Sequence, residues 1–422
     1  MRDKMKQCWL LCLFSLLLSF SFAQQSIKQY VSKEKVAIRS VDPNDIDYND
    51  LRSIDDAIGD KRIIMLGEQD HGDAPTFLAK TRLIKYLHEK KGFNVLAFES
   101  DFFGLTEGQK EINNDTAALR KYLKGNIFSI WTNCDACDEL FYDYLPQNLK
   151  SAQPIIITGF DSQPHSSYSR RRVIKYLDSV LTEEHFPLPN FDHMKKQVLS
   201  WTDTLTKKYG VKFGRSPGND SITRYLNLFA DYNRSHYGKN DTYHVLMSII
   251  AYNAQVHAIG LIGSDVRDAQ MAANLDWLVN EKYKKEKIIV WAHNYHIMDK
   301  SYDAISKKSS PHHSMGNDFL KDSINRQQTY VLGFDSRSGT AGRVTIKKTY
   351  KVRKPEKNSI EKWFGKDAYS FIDFKKYNQS VKEPEFFYMK GKYHRQNALA
   401  QWTRCFDGIF FIKEMYPCKR FY

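Results

Sequence analysis

The chain has 422 residues, of which 42% are hydrophobic and 14% aromatic, and its formal net charge is +14. This much apolar side-chain volume excludes a disordered chain and predicts one large domain or two ordinary ones. The basic runs are scattered and no nucleic-acid-binding motif accompanies them, so we expect no nucleic-acid partner. The charge instead predicts a solvated surface or attraction to anionic polymers of the cell envelope.

The first 23 residues have the pattern of a secretory signal peptide. Three basic residues, Arg2, Lys4 and Lys6, precede an apolar run, and Ser21-Phe22-Ala23 is a small-x-small cleavage site. The alternative is a membrane anchor, but the run is shorter than the roughly 20 residues of a spanning helix. We therefore expect cleavage after Ala23, export to the periplasm or the extracellular space, and no integral membrane segment after processing.

Four cysteines follow the signal peptide, and an even number in an exported protein favours disulfide pairing. Sequence order favours Cys134 with Cys137 and Cys405 with Cys418, although four cysteines allow three pairings. The Cys134-Asp135-Ala136-Cys137 segment is also compatible with a redox motif or half of a zinc site, but no second pair completes a zinc site. We therefore expect a structural or incidental role for these cysteines.

Apolar runs and helical periodicity alternate along the chain, which predicts an α/β protein. Strands are predicted at 62–66, 93–98, 154–160, 288–292, 329–333 and 408–412, with a hairpin strand at 342–352. Helices are predicted at 47–58, 75–91, 166–184, 194–209, 221–233, 243–258, 267–284 and 315–325, with two or three more within 102–149. We expect one domain over 24–422, with a central, mostly parallel sheet flanked by helices. A helical insertion at about 187–260 is expected to cover the carboxyl ends of the strands.

Polar side chains follow the predicted strands where each strand ends. In chain order they are Glu68 with His71, then Glu99, Asp161, and His293 with His296. Because strand–helix–strand connections give parallel neighbours, the ends of the first two strands are expected at the same edge of the sheet. Ligands of open α/β sheets bind at that edge. Asp161 alone is also typical of a helix N-cap.

These residue types suit hydrolysis. A histidine with a pKa near neutrality can take a proton from water, and a carboxylate on its other ring nitrogen fixes the tautomer. Two neighbouring carboxylates raise one pKa, which would supply an acid beside the base. A second histidine can stabilise a developing oxyanion. No Gly-x-Ser-x-Gly elbow is present, so a serine nucleophile is not expected.

The same side chains could instead hold a divalent metal, since imidazole and carboxylate are ordinary zinc ligands. However, the sequence has no His-Glu-x-x-His motif, and Glu68-x-x-His71 supplies only one histidine. His293 and His296 are three residues apart, a spacing that one helical turn could join but a strand would not. We expect no cofactor, with a divalent metal as the alternative.

Several motifs in order resemble the erythromycin esterase family, which includes succinoglycan-biosynthesis-like proteins. Leu66-Gly67-Glu68-x-x-His71-Gly72 is followed by Arg82-Leu83-Ile84 on the next helix and by Phe98-Glu99. Arg267-Asp268-x-x-Met271-Ala272-x-Asn274-Leu275 and Trp291-Ala292-His293-Asn294-x-His296 are similar to two further family motifs. The resemblance covers roughly residues 50–412.

The resemblance implies hydrolysis of a small-molecule ester or lactone by a histidine-activated water, without a covalent intermediate or a metal. Carried onto this sequence, it makes His71 the general base and makes Glu68 and Glu99 the groups that position it. The same resemblance assigns His293 and His296 to the carbonyl or leaving oxygen. Arg267 is predicted to contact the substrate or a carboxylate, and contacts with the substrate are also predicted for Lys80 and Asp161.

Known members of the family open a macrolide lactone and cause antibiotic resistance, and this chain departs from them at two positions. Pro75 and Lys80 stand where resistance enzymes often carry Glu and Arg, and lysine lacks the bidentate fork of arginine. These departures and the signal peptide argue against a macrolide as substrate more than against hydrolysis. The alternative functions are a non-catalytic or metal- or haem-binding envelope protein of the same fold, and a factor that modifies envelope polysaccharide.

Overall fold

A computed structural model describes residues 25–112, 114–183, 186–208, 217–258, 262–300 and 313–419. Within these residues a nine-stranded sheet forms the centre of the molecule, and two short strands pair separately. The strands are β1 (Val36–Ile38), β2 (Ile63–Leu66), β3 (Phe93–Asp101), β4 (Ile156–Asp161), β5 (Lys287–Trp291), β6 (Thr329–Ala341), β7 (Tyr350–Lys351), β8 (Tyr369–Asp373), β9 (Phe387–Met389), β10 (Ala398–Ala400) and β11 (Gly408–Met415).

The sheet has the order β1-β8-β11-β6-β2-β5-β3-β4, and β7 extends β6 as an antiparallel hairpin. Every neighbouring pair from β11 to β4 is parallel. The other edge is antiparallel, because β8 pairs with β11 and β1 pairs with β8 in that sense. The predicted α/β fold with a mostly parallel sheet is therefore confirmed.

The order of the central strands differs from the expectation in one respect that affects the site. β2 and β3 are parallel, as the strand–helix–strand connection requires, but they are not neighbours. β5 lies between them and pairs with both. Three strand ends therefore stand side by side, with the residues that follow β5 in the middle.

The sheet is buried on both faces, which explains why its strands are continuous apolar runs. In β2 the side chains of Ile63 and Met65 pack into one hydrophobic core, and those of Ile64 and Leu66 pack into the other. All four are fully buried. Alternate side chains of a strand point to opposite faces, so each face needs its own layer of helices.

The described helices are α1 (Ile27–Glu34), α2 (Arg52–Ile58), α3 (Ala74–Lys91), α4 (Phe102–Gly108), α5 (Thr116–Asn126), α6 (Ser129–Thr132), α7 (Leu145–Asn148), α8 (Ser167–Glu183), α9 (Phe191–Lys207), α10 (Pro217–Tyr237), α11 (Asp241–His257), α12 (Ile262–Trp277), α13 (Asn294–Ile297), α14 (Met315–Phe319), α15 (Ser323–Gln328), α16 (Ile360–Trp363) and α17 (Lys375–Ser380). Single 3-10 turns lie at Asn49–Leu51, Gln109–Glu111, Asp135–Cys137 and Trp402–Arg404, and π-helical turns at Glu139–Tyr144 and Leu278–Lys282.

The long helices match the periodicity of the sequence, and the short elements do not. Helix α3 ends at Gly92, whose φ of 72° is the left-handed conformation that glycine adopts at low cost. The predicted helix at 267–284 begins and ends earlier than expected, because α12 spans Ile262–Trp277 and a π-helical turn follows it. The predicted strand at 342–352 is reduced to β7, and β1, β8, β9 and β10 were not predicted at all.

Helices α9, α10 and α11 follow one another over the region of the predicted helical insertion, and its described part contains no strand. Helix α11 packs on α12, and α12 packs on β4 and on α14. This helical region is therefore joined to the sheet through α12. No helix among the described residues is long and apolar enough to cross a bilayer. The predicted signal peptide lies outside the described residues.

The predicted cysteine pairing is wrong. Cys134 pairs with Cys418, and Cys137 and Cys405 are buried thiols. The bond joins positions 284 residues apart, because the end of β11 returns to the loop after β2. There Cys418 N–H donates to Gly72 O at 2.9 Å. Sequence proximity favours local pairs, whereas the fold brings the C-terminal segment beside α6.

Candidate active site

The polar residues of the candidate site follow the adjacent strands β2, β5 and β3. The loop after β2 lies close to the loop after β5, since a Cβ atom on Gly67 would lie 1.9 Å from Asn294 Oδ1. Gly72 meets the β6–β7 hairpin as closely, with Gly342 O at 1.9 Å from its ideal Cβ position. Gly67 therefore leaves room for the Asn294 side chain, and Gly72 leaves room for the backbone of the hairpin, where a side chain would clash.

Glu68 is fully buried and accepts from three different elements. Lys80 Nζ, on α3, donates to Oε2. Trp131 Nε1, on α6, donates to Oε1 at 2.8 Å, and His71 Nδ1 lies 3.0 Å from the same oxygen. A buried carboxylate held by this many donors stays in one orientation, so it can fix the ring that shares it.

His71 is the site histidine with one ring nitrogen unused. Its Nδ1 is held by Glu68, and no group of the described residues hydrogen-bonds Nε2. The side chain is 13% exposed, and the ring lies between Trp131 and His293 at centroid distances of 5.5 and 5.2 Å. With Nδ1–H donating to Glu68, Nε2 carries a lone pair that can accept a proton.

His293 has both ring nitrogens engaged. Nδ1 accepts from Tyr295 N–H at 3.0 Å, so the ring proton must be on Nε2, which donates to Gln69 O at 2.9 Å. Burial, reinforced by His71 and His296, holds the pKa of His293 well below its usual range. His293 is therefore a neutral imidazole that joins the loop after β5 to the loop after β2.

His296 has the opposite charge state. Its Nδ1 lies 2.5 Å from Asp268 Oδ1, and its Nε2 lies 3.2 Å from Glu99 Oε1. Burial alone would lower the pKa of His296, but the Asp268 and Glu99 carboxylates outweigh it and raise the pKa to about 10. His296 is therefore an imidazolium that donates to two carboxylates at neutral pH.

Glu99 is surrounded by donors and cations. Arg267 Nη2 donates to Oε1 at 2.8 Å, and His293 N–H donates to Oε2 at 3.0 Å. Burial by itself would raise the pKa of Glu99, but the His296 imidazolium and the Arg267 guanidinium hold it well below its usual range. The expectation that neighbouring carboxylates would create an acid therefore fails for Glu99, because positive charge dominates its surroundings.

The structure does not support the predicted substrate contacts of Lys80 and Asp161, because both side chains are fully buried. The Lys80 ammonium forms an ion pair with Glu68 and lies 4.2 Å from the centroid of the Trp291 ring. Asp161 accepts from Arg267 Nε at 3.1 Å and from Nη2 at 2.6 Å. Both residues orient charged partners of the site, and Arg267 itself keeps 15% exposure.

Three residues of the site were not predicted. Trp131 lies on the four-residue helix α6, in a segment without clear periodicity, so nothing local indicates that it holds Glu68. Asp268 directly follows Arg267 in the Arg-Asp-x-x-Met motif, which is the one sequence signal for its contact with His296. Tyr393, far along the chain, places its ring 5.2 Å from that of His293.

Potential metal ligands converge elsewhere. Among the described residues, the one group of three such side chains within 4.8 Å is Cys134, Asp135 and Cys418, and its two cysteines form the disulfide. The histidines and carboxylates at the strand ends hydrogen-bond one another or the backbone. Their donor geometry therefore matches an acid–base cluster better than a set of metal ligands.

Fold and site together define a class: an α/β protein with a histidine–carboxylate cluster at the carboxyl ends of parallel strands. The chain belongs to the erythromycin esterase family, whose model matches residues 88–415. The matched range contains Glu99, Arg267, His293 and His296, and it begins after His71.

Two relatives and a solved structure extend this comparison. A putative hydrolase, YbfO of Bacillus subtilis (strain 168), is 25% identical over 344 residues, or 76% of this chain and 75% of that protein. The erythromycin esterase type II of Escherichia coli is 22% identical over 92% of this chain and 97% of that protein. A mutant of the erythromycin esterase EreC in its open conformation shares the fold, with a TM-score of 0.63, 14% identity, and coverage of 91% and 98%. The family and its relatives indicate a hydrolase.

Proposed function

We propose that this chain is an exported hydrolase that cleaves an ester or a lactone with a water molecule activated by His71. The observation that carries the proposal is the geometry of that imidazole. Its Nδ1 is fixed by buried Glu68, while Nε2 has no hydrogen-bond partner among the described residues and the ring stays partly exposed. A general base needs this combination of a fixed tautomer and an available lone pair.

In the proposed step, Nε2 of His71 takes a proton from water as the oxygen attacks the carbonyl carbon. The resulting imidazolium keeps its Nδ1–H bond to Glu68, whose negative charge stabilises it. Hydrogen bonds from Lys80 and Trp131 hold the Glu68 carboxylate in place. The proton then passes to the leaving oxygen, so the base is regenerated without a covalent intermediate.

The other two histidines take supporting roles in this proposal. His293 has no free ring nitrogen, so it acts by holding the loop after β5 against Gln69. His296 and Arg267 supply positive charge beside Glu99. Arg267 Nη1 lies 3.4 Å from His296 Nε2, and two proton-bearing nitrogens cannot hydrogen-bond each other. Nη1 therefore keeps its protons for a developing oxyanion.

His71→Ala tests the proposal on esters, lactones and a macrolide. We expect the turnover of any accepted substrate to fall by about 100-fold or more, since general-base catalysis typically contributes that much. The thermal melt should fall by only a few degrees, because the side chain is partly exposed and Glu68 keeps its hydrogen bonds from Lys80 and Trp131. His193→Ala, a histidine exposed on α9, is the control and should retain full activity.

Unchanged turnover in His71→Ala would remove His71 from the mechanism. Assays with a chelator distinguish this mechanism from the metal-dependent alternative. Activity that is lost on adding EDTA and restored by zinc would assign the chemistry to a metal-bound water. Spectra of the purified protein test the haem-binding alternative in the same preparation.

A further inference from the structure

One segment from the C-terminal part of the chain crosses the loops that carry the histidines. Lys390 O accepts from Gln69 Nε2 at 2.7 Å, and Gly391 O accepts from Asn294 Nδ2 at 2.8 Å. The Tyr393 ring then lies 5.2 Å from that of His293, tilted by 38°. These contacts bring the residue between them, Lys392, to the edge of the candidate site.

The two lysines of this segment have different surroundings. Lys390 is fully buried, and its ammonium donates to Glu361 Oε1 at 2.7 Å. Lys392 is half-buried, and it forms no ion pair with any carboxylate of the described residues. Its Nζ lies 5.3 Å from the centroid of the Tyr295 ring, and that ring contacts the ring of His296 at a centroid distance of 5.3 Å. The chain therefore provides a carboxylate for the first lysine, whereas the second has only the Tyr295 ring and the buried thiol of Cys405 nearby in the described part of the chain.

An ammonium removed from water without a counter-ion is unfavourable, and burial accordingly lowers the pKa of Lys392. The ring of Tyr295 compensates only part of that loss. An anion bound from solution would complete the ammonium's shell of partners. The strongly positive net charge would also attract such a ligand.

We propose that Lys392 binds an anionic group of the substrate, so that the preferred substrate is an ester or lactone that carries a carboxylate or phosphate away from the scissile bond. This rests on the proposed function, because it names the substrate class of the same site. Lys392 is a specificity-determining residue here, whereas the chemistry stays with His71.

Pairs of esters that differ by one charge test the proposal. 4-Nitrophenyl hydrogen succinate and 4-nitrophenyl butyrate share a leaving group, and a carboxylate replaces a methyl group. The glutarate–pentanoate and adipate–hexanoate pairs lengthen the spacer. We expect kcat/KM to favour the anionic ester by about tenfold or more at the best spacer length, as for a hydrogen bond to a charged group.

Lys392→Met should abolish that preference by lowering kcat/KM for the anionic esters while kcat/KM for the neutral esters stays unchanged. Lys392→Arg should keep most of the preference because the charge remains. Lys28→Met, which removes an exposed lysine from α1, controls for net charge and should retain the preference. An equal loss of both esters in Lys392→Met would indicate a structural role and overturn the proposal. A wild-type enzyme without preference at every spacer length would overturn it too.

Binding of stable amides separates this proposal from the proposed function. The Kd values of N-(4-nitrophenyl)succinamic acid and of its neutral analogue 4-nitrobutyranilide are measured by calorimetry on wild type and Lys392→Met. A Lys392-dependent preference for the acid, without hydrolysis of any ester, would support the anion site and refute the esterase. Hydrolysis that depends on His71, with equal binding of both amides, would support the esterase and refute the anion site.

Discussion

The three histidines of the site differ because different groups hold their ring nitrogens. His71 has one nitrogen fixed by a carboxylate and one without a partner among the described residues. His293 is neutral, since a backbone N–H and a backbone carbonyl engage its ring. His296 lies between two carboxylates and is cationic. The same side chain thus serves as a candidate base, as a link between loops and as a buried charge.

Trp131→Phe tests whether the orientation of Glu68 matters to catalysis. The substitution keeps most of the ring but removes the 2.8 Å hydrogen bond from the indole to the carboxylate. We expect kcat to fall by about tenfold or more, because a hydrogen bond to a charged group is lost beside the base. Trp201→Phe removes a 2.7 Å indole hydrogen bond to Asn253 in the helical region and should leave kcat unchanged. An equal fall of kcat in both variants would show that the loss reflects reduced stability and not the orientation of Glu68.

The protonation of His296 gives a pH dependence with a definite sign. Its pKa is raised to about 10 in the folded chain, whereas the pKa of an unfolded histidine is about 6.5. The folded state therefore binds the extra proton between these values, and the stabilisation present below pH ~6.5 is lost as the pH rises toward 10.

Denaturant unfolding at pH 6, 8 and 10 measures this dependence. We expect the free energy of unfolding to fall more steeply in wild type than in His296→Gln. Ring ¹⁵N NMR should show one imidazolium that persists at pH 8 and vanishes in the variant. A neutral His296 at pH 8 would contradict the assignment.

At the scale of elements, the site exists because β5 lies between β2 and β3. The composition of each run predicted the strands, and the polar residues after them were recognisable as candidates. The spatial order was not predictable from the sequence of β2, α3 and β3, because a strand that follows almost 190 residues later pairs with both. The position of the loop after β5 depends on contacts with β6 and with the segment before Lys392.

Asn294→Ala tests how strongly those contacts hold the loop after β5. The buried amide donates to Phe334 O at 2.7 Å and to Gly391 O at 2.8 Å, and it accepts from Phe334 N–H at 3.1 Å. We expect a loss of about 3 kcal/mol in the free energy of unfolding, because three hydrogen bonds go and buried partners stay unpaired. Urea titration measures the loss. Asn397→Ala, whose amide donates to Lys354 O near the surface, should cost less than about 1 kcal/mol. A similarly small loss in Asn294→Ala would show that the loop is held by other contacts.

At the scale of the whole molecule, the Cys134–Cys418 disulfide ties the C-terminal segment to the region of Trp131. If the signal peptide is removed, Cys8 and Cys12 leave with it, and the mature chain should show two thiols to Ellman's reagent in denaturant without reductant. Peptide mapping should recover one bridged pair. Four thiols, or a Cys134–Cys137 bridge, would contradict the structure.

Cys418→Ser measures what the bond contributes. We expect the free energy of unfolding to fall by about 2–5 kcal/mol, the usual cost of removing a native disulfide. Cys405→Ser, at a buried thiol that forms no disulfide, is the matched control for replacing a cysteine by serine.

The sequence by itself determined the features that depend on near neighbours. The run at Ile63–Leu66 is apolar throughout, so it is a strand buried on both faces, and Gly92 ends α3 because glycine adopts positive φ at low cost. The family motifs likewise indicated which polar residues to expect at the strand ends as a candidate site.

Only the tertiary structure decided the features that depend on distant partners. It brought Trp131 to Glu68 and Asp268 to His296, placed β5 between β2 and β3, and paired Cys134 with Cys418. The physical reason is that burial and hydrogen bonding act between groups that are close in space, whatever their separation along the chain. The charge state of each histidine therefore followed from the fold and not from its neighbours in sequence.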